Sequence, residues 1–380
     1  MRIKRIQAET IVNAQGKKTI EVIVNKKYRA STPLGISLGR NEVLAFPSSG
    51  IPVSVVNRTL HRALKGLKLE EFSDLEAVEK ILFEYDPSPN LAKLGGNVVL
   101  ALEYALLRAM SNNEVWKFLK TSHGEMPTPI IPCFSGGKHL SDSCDFQEFL
   151  LIPHGEKFSD SIMISQYIYK RIWEELKPAR KSITGGWATT LDPVSILSFL
   201  KNLKEEAYDK FDISTGIGID VAASHLFEGG SYFYKNGKLA REAQIRHINM
   251  LSSIYSLEYI EDPIEENDKD GFGYIKGDVI CGDDIAFMDI DWLNLITGKI
   301  NAITIKPNQI GSIIKTKQLI DWARKNNIET VMSYRAGETQ DPMISDLSVA
   351  FNTQYIKTGI SGKHNTSKIG RLKEIEREIK

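Results

Sequence analysis

Ile219-Asp220, Ile260-Glu261-Asp262-Pro263, Gly282-Asp283-Asp284 and Ile305-Lys306-Pro307-Asn308-Gln309-Ile310-Gly311 each run from apolar residues into a charged one. A short apolar run reads as a strand buried on both faces, as in a parallel sheet, and its charged end as a group delivered to the strand's mouth. From Asp220 to Glu261 is 41 positions, to Asp283 a further 22, to Lys306 a further 23, and Lys357 follows 51 later. One βα unit takes roughly 20 to 30 residues, so these intervals read as one- and two-unit steps around a barrel. Three carboxylates and a lysine gathered at one rim suggest a metal ion beside a base.

Outward from that core, β and α patterns alternate. Strands are expected at Glu258 to Glu261, Val279 to Asp283, Ala302 to Lys306, Thr330 to Tyr334 and Gln354 to Lys357, with a helix from Ser312 to Asn326. Ser159 is placed to cap a helix reaching Lys177. Tyr232 to Leu239 reads as a hairpin on Asn236-Gly237. Upstream, Thr10 to Val12 and Thr19 to Asn25 are β-like around the turn Gln15 to Lys18. Residues 31–50, rich in Ser, Gly and Pro, form a long loop, and loops of that length are usually functional or disordered. Helices follow at Val53 to Leu67, Leu75 to Tyr85 and Gly96 to Ala109. Met126 to Pro132, with three prolines, reads as a linker. The division expected is residues 1–125 as an α+β unit and 130–380 as a barrel.

The chain has 380 residues, 42% hydrophobic and 25% charged, with 48 basic and 48 acidic side chains. Zero net charge leaves no basic footprint for nucleic acid or an anionic membrane. No apolar run reaches the roughly 18 residues of a membrane span, and Met1 to Ile6 has no signal-peptide core. Cys133, Cys144 and Cys281 fit neither a disulfide framework nor a zinc site, so a cytoplasmic location is expected.

These residues resemble the enolase family. The likeness is collinear from about residue 10 to 376. It is sharpest at Ser135 to His139, Gln147-Glu148-Phe149, Ile260 to Pro263, Gly282-Asp283-Asp284, Lys306 to Gly311, Arg335 to Thr339 and Ile356 to Gly359. The resemblance implies an α/β architecture: an α+β N-terminal capping domain followed by a modified β/α barrel. It also implies Mg²⁺, a homo-oligomer, a small phosphorylated carboxylic acid as substrate, and the reversible dehydration of 2-phosphoglycerate to phosphoenolpyruvate. By the same resemblance Asp220, Glu261 and Asp283 hold the metal, and Ser37 helps hold a second. Lys306 is the base and Glu148 a catalytic acid. His139, Gln147, Tyr334, Arg335 and Lys357 surround the substrate. Such a set suits the chemistry, because a proton next to a carboxylate is very weakly acidic and its removal builds a second negative charge that a hard cation offsets.

Departures from the family pattern sit where the leaving group and phosphate are handled. Ser182 to Gly186 stands in place of Gly-Asp-Glu-Gly-Gly, so Thr184 occupies the place of an acid. Tyr334 replaces a histidine, Ala336 a phosphate-binding serine, and Gln15 an arginine near the dimer contacts. Two alternatives follow: an enzyme that abstracts the α-proton of another carboxylate, or a non-catalytic metal-binding relative. Asp262 and Asp284 are read as supports of their neighbours, and His61, His123, His154, His225, His247 and His364 as structural or exposed.

Overall fold

A computed structural model describes residues 1–35, 42–120, 124–286 and 290–379. The chain opens with an antiparallel meander, β1 (Ile6–Val12), β2 (Lys18–Val24) and β3 (Tyr28–Ser31). Asn13 tightens the β1–β2 turn, its Oδ1 accepting from the amides of Gln15 and Lys17 at 2.9 Å each. Helices Leu75–Tyr85 and Gly96–Ser111 follow. The second is buried on nearly every face, because the meander packs on one side and the barrel on the other. A helix apolar all round is stable only in such a position.

The barrel strands are β4 (Thr128–Ser135), β5 (Glu148–Pro153) and β6 (Thr215–Asp220). Next comes a small outer sheet of β7 (Phe227–Glu228), β8 (Ser231–Tyr234) and β9 (Gly237–Ala240). The barrel then resumes with β10 (Tyr259–Glu261), β11 (Val279–Gly282), β12 (Ala302–Ile305), β13 (Glu329–Ser333) and β14 (Tyr355–Lys357). These eight close in the order β10-β11-β12-β13-β14-β4-β5-β6. All neighbours are parallel except β5, which runs against both β4 and β6. The reversal brings the first residue of β5, Glu148, to the rim where the other strands end, opposite Asp220.

Several expectations are corrected. Met126 to Pro132 is no linker: β4 begins at Thr128. Proline cannot donate to a ladder, and the register with β5 shifts between Pro132 and Phe134, so the missing N–H falls at an irregularity. Helix Phe158–Leu176 starts at Lys157 without a side-chain cap, and the Ser159 amide donates instead to the Glu376 carboxylate at 3.2 Å. The interval from Asp220 to Glu261 is one barrel step and not two, since β6 pairs directly with β10 and the outer sheet lengthens the connection. Helix Ile313–Lys325 and the β8–β9 hairpin lie where expected, and Ser312 caps that helix by accepting from the Lys315 amide at 3.0 Å. The three cysteines are buried free thiols. Among the described residues no helix is long and apolar enough to cross a membrane.

Candidate active site

The strand ends converge on a pocket at the rim, lined among others by Glu148, Thr184, Asp220, Asp283, Lys306 and Lys357. Lys357, the last residue of β14, is its electrostatic hub. Its ammonium lies 2.8 Å from Glu261, 2.9 Å from Asp220 and 3.1 Å from Glu148. Burial works to neutralise this amine, but the three carboxylates outweigh it and hold the lysine well above its usual range. Asp220 also accepts from Gln147 Nε2 at 3.1 Å. Burial tends to raise Glu148, yet Lys357 and His139 prevail and hold it ionised.

Lys306 follows β12 and pairs with Asp283, whose other oxygen accepts from Thr304 at 2.7 Å. Burial and the Arg335 charge favour the free amine. Asp283 favours the ammonium, and the net direction is upward. Burial is opposed at Asp283 by Lys306, which brings that carboxyl down to about 2. The position of Asp283 is set from behind by Asp262, which adopts the left-handed region at φ +42°. Its carboxylate accepts the amides of Asp283 at 2.9 Å and Asp284 at 2.8 Å. Aspartate tolerates that conformation better than most residues, and the two bonds give Asp262 the supporting part read from the sequence.

Among the described residues, the group of three carboxylates with oxygens within 4.8 Å of one another is Asp262, Asp283 and Asp284. Asp220 and Glu261 instead share the Lys357 ammonium. A metal ion nevertheless suits Asp220, Glu261 and Asp283. Asp220 and Glu261 stand side by side on paired strands, Asp283 follows the next strand, and all offer hard oxygen donors. Glu261 Oε1 is buried and accepts no hydrogen bond. An orphaned carboxylate oxygen is costly unless something else satisfies it. Burial, then the neighbouring Asp220, raises Glu261 to about 8, which a cation would reverse.

On the other side, Tyr334 donates its hydroxyl proton to Glu148 Oε1 at 2.9 Å, and His139 Nδ1 stands 3.1 Å from the same oxygen. Thr184 is buried in the pocket wall, bonded to Ser182 at 2.7 Å. Gly186 lets that loop approach so closely because a Cβ there would lie 2.2 Å from Ser135 Oγ. Arg335 does not pair through its side chain with Glu338, which accepts the Arg335 amide at 2.9 Å. Its guanidinium forks onto Glu42 at 2.9 and 3.3 Å, both side chains almost fully buried. Ala336 lines the pocket beside it.

The structure thus gathers His139, Gln147, Glu148, Asp220, Asp283, Lys306, Tyr334, Arg335 and Lys357 in the pocket wall, with Glu261 tied in through Lys357. Ser37 lies outside the described residues. Sequence reasoning missed Lys138, Gln309, Ser333 and His225, which also line the pocket. His225 was set among the structural histidines. It ends a short 3₁₀ turn after β6, where burial and then Lys138 bring it down to about 4 and keep it neutral. Its place just after the strand-end acid Asp220 was the one available signal.

Comparison with known proteins finds matches along nearly the whole chain. Residues 3–120 match the family model for the enolase N-terminal domain, and residues 123–380 that for the enolase C-terminal TIM barrel domain. The chain is 32% identical to the enolase of Picrophilus torridus, over 99% of each chain. It is 32% identical to that of Methanothermobacter thermautotrophicus, over 99% of this chain and 97% of the relative. With the enolase of Thermoplasma acidophilum the identity is 30%, over 98% of each.

Proposed function

The chain belongs to the enolase family, and from that premise we propose that it is a Mg²⁺-dependent hydro-lyase interconverting 2-phosphoglycerate and phosphoenolpyruvate. The observation that carries the reading is the pairing of two lysines with carboxylates at the barrel rim, Lys306 with Asp283 from the next strand end and Lys357 with Asp220 and Glu261 from across the barrel. We assign Asp220, Glu261 and Asp283 to the metal, which when bound offsets the charge that builds on the substrate carboxylate. Lys306 takes the α-proton. It is a base only as the free amine, a form favoured by burial and Arg335 once Asp283 is engaged elsewhere. Lys357 binds the substrate carboxylate, and Arg335 presents its planar fork to the phosphate. Gln147 and His139 border the substrate. A cytoplasmic homo-oligomer is part of the same proposal.

The test is the absorbance rise of phosphoenolpyruvate from purified protein, Mg²⁺ and 2-phosphoglycerate, beside Lys306→Ala. The variant is expected to lose turnover while Mg²⁺ still raises its melting temperature, since binding to the native state alone stabilises it. Full turnover in Lys306→Ala would remove the lysine from the mechanism.

A second reading has its own observation. Arg335 is already forked onto a carboxylate of this chain, and Ala336 offers no hydroxyl beside it. Such a site favours a carboxylic acid without phosphate. Solvent-deuterium exchange at the α-carbon, over a panel of phosphorylated and plain 2-hydroxy acids, separates the two.

A further inference from the structure

We propose that the phenol of Tyr334 is the general acid that protonates the departing hydroxide, an inference that rests on the dehydration reading above. Hydroxide is a poor leaving group and needs a proton from a nearby donor. Glu148 is badly placed to give one. One of its oxygens faces the Lys357 ammonium at 3.1 Å, while the other faces His139 at 3.1 Å and accepts the Tyr334 proton. That surrounding is made for a carboxylate. Thr184 offers only an aliphatic alcohol, and a guanidinium such as Arg335 does not give up its proton in a protein. Asp284 adjoins the proposed ligand Asp283, in the group that holds Lys306. Tyr334 belongs to the separate group of Glu148 and His139, so abstraction and expulsion fall to different parts of the pocket.

Tyr334 is buried yet lines the pocket, and its O–H vector is set by the bond to Glu148, which lines the same pocket. Rotation about the C–O bond swings that hydrogen from Glu148 to a departing oxygen without moving the ring. The step balances. Lys306 takes the α-hydrogen as a proton, and the C–H electron pair becomes the new carbon–carbon double bond. The carbon–oxygen bond breaks with its electrons on oxygen, the phenol proton joins that oxygen, and water leaves. Burial and then the Glu148 charge hold the phenol protonated at rest, against the smaller pull of Lys357, so the phenolate left behind is short-lived and solvent returns its proton.

The experiment follows phosphoenolpyruvate formation and α-proton exchange in deuterium oxide together, for wild type, Tyr334→Phe and His139→Gln, all with Mg²⁺ and 2-phosphoglycerate. Tyr334→Phe is expected to lose roughly 10²- to 10⁴-fold in dehydration while exchange stays within a few-fold of wild type. A purely structural role for the tyrosine would lower both together, and that outcome overturns the proposal. So does unchanged dehydration in Tyr334→Phe, or a dehydration-only loss in His139→Gln in its place. If wild type neither exchanges the α-proton of 2-phosphoglycerate nor forms product, the dehydration reading itself falls, and this inference with it.

Discussion

Arg335 shows how much one residue's meaning depends on its partner. The sequence marks it as an anion binder, and in the fold it already holds an anion, the Glu42 carboxylate, across a bidentate contact in a nearly dry place. A phosphate entering the pocket competes with that carboxylate. Glu42→Gln, which keeps the shape and removes the charge, is expected to tighten inorganic phosphate binding by roughly tenfold, about the worth of one charge-assisted hydrogen bond. Calorimetric titration reads it, and weaker binding would show that Glu42 holds the guanidinium in place. Lys306 and Lys357 were legible as single residues because each ends an apolar strand, and the strand's direction fixes where the side chain arrives. His225 was not, because it sits in an irregular turn whose course is set by what it packs on.

At the scale of elements, parallel strands announce themselves by continuous apolar runs, and β10 to β14 lie within a residue or so of the expected places. The two entry strands did not read that way. β4 is written with prolines and β5 runs backwards, and both depend on the neighbours that tolerate them. At the closed end of this pair, His154 just beyond β5 meets Glu258 just before β10 at 2.9 Å. The hydrogen bond that His154 donates to Glu258 raises the His154 pKa above its ordinary 6.5. A raised folded value means the stabilisation is fully present below pH 6.5 and is lost as pH rises through the elevated pKa. Because the pair is partly solvated, it is worth at most about 0.5 kcal/mol. His154→Asn is therefore expected to lower stability at pH 5.5 and to match wild type at pH 9, by urea denaturation at both. A deficit that is equal at the two values would assign the histidine a packing role only.

Across the whole molecule, the capping part and the barrel are joined by buried polar contacts as well as by apolar ones. Arg108, on the helix sandwiched between them, forks onto Asp341 at 2.6 and 2.8 Å, and Asp341 also accepts the Ser31 amide at 2.9 Å. Glu103 on the same helix accepts the amide of Ile313, the first residue of a barrel helix, at 2.8 Å. Arg108→Ala leaves the buried Asp341 charge uncompensated, with an expected cost of about 3–5 kcal/mol. Arg108→Ala with Asp341→Ala is expected to recover part of it, and a purely additive double mutant would show that the two do not interact.

The sequence by itself determined that this chain makes a barrel with acids and lysines at its rim, since the period and polarity of each short strand are local properties. It also carried the family, through motifs whose order and spacing survive at 30–32% identity. Only the tertiary structure decided which strands are neighbours, that β5 is reversed, and that the interval from Asp220 to Glu261 is a single step with a hairpin inserted. It alone decided the pairings on which the chemistry turns, Tyr334 with Glu148, Lys357 with its carboxylates and Arg335 with Glu42. The reason is physical: a side chain's charge and proton are set by groups within a few ångströms, and in a closed barrel those groups come from strands far apart in the chain.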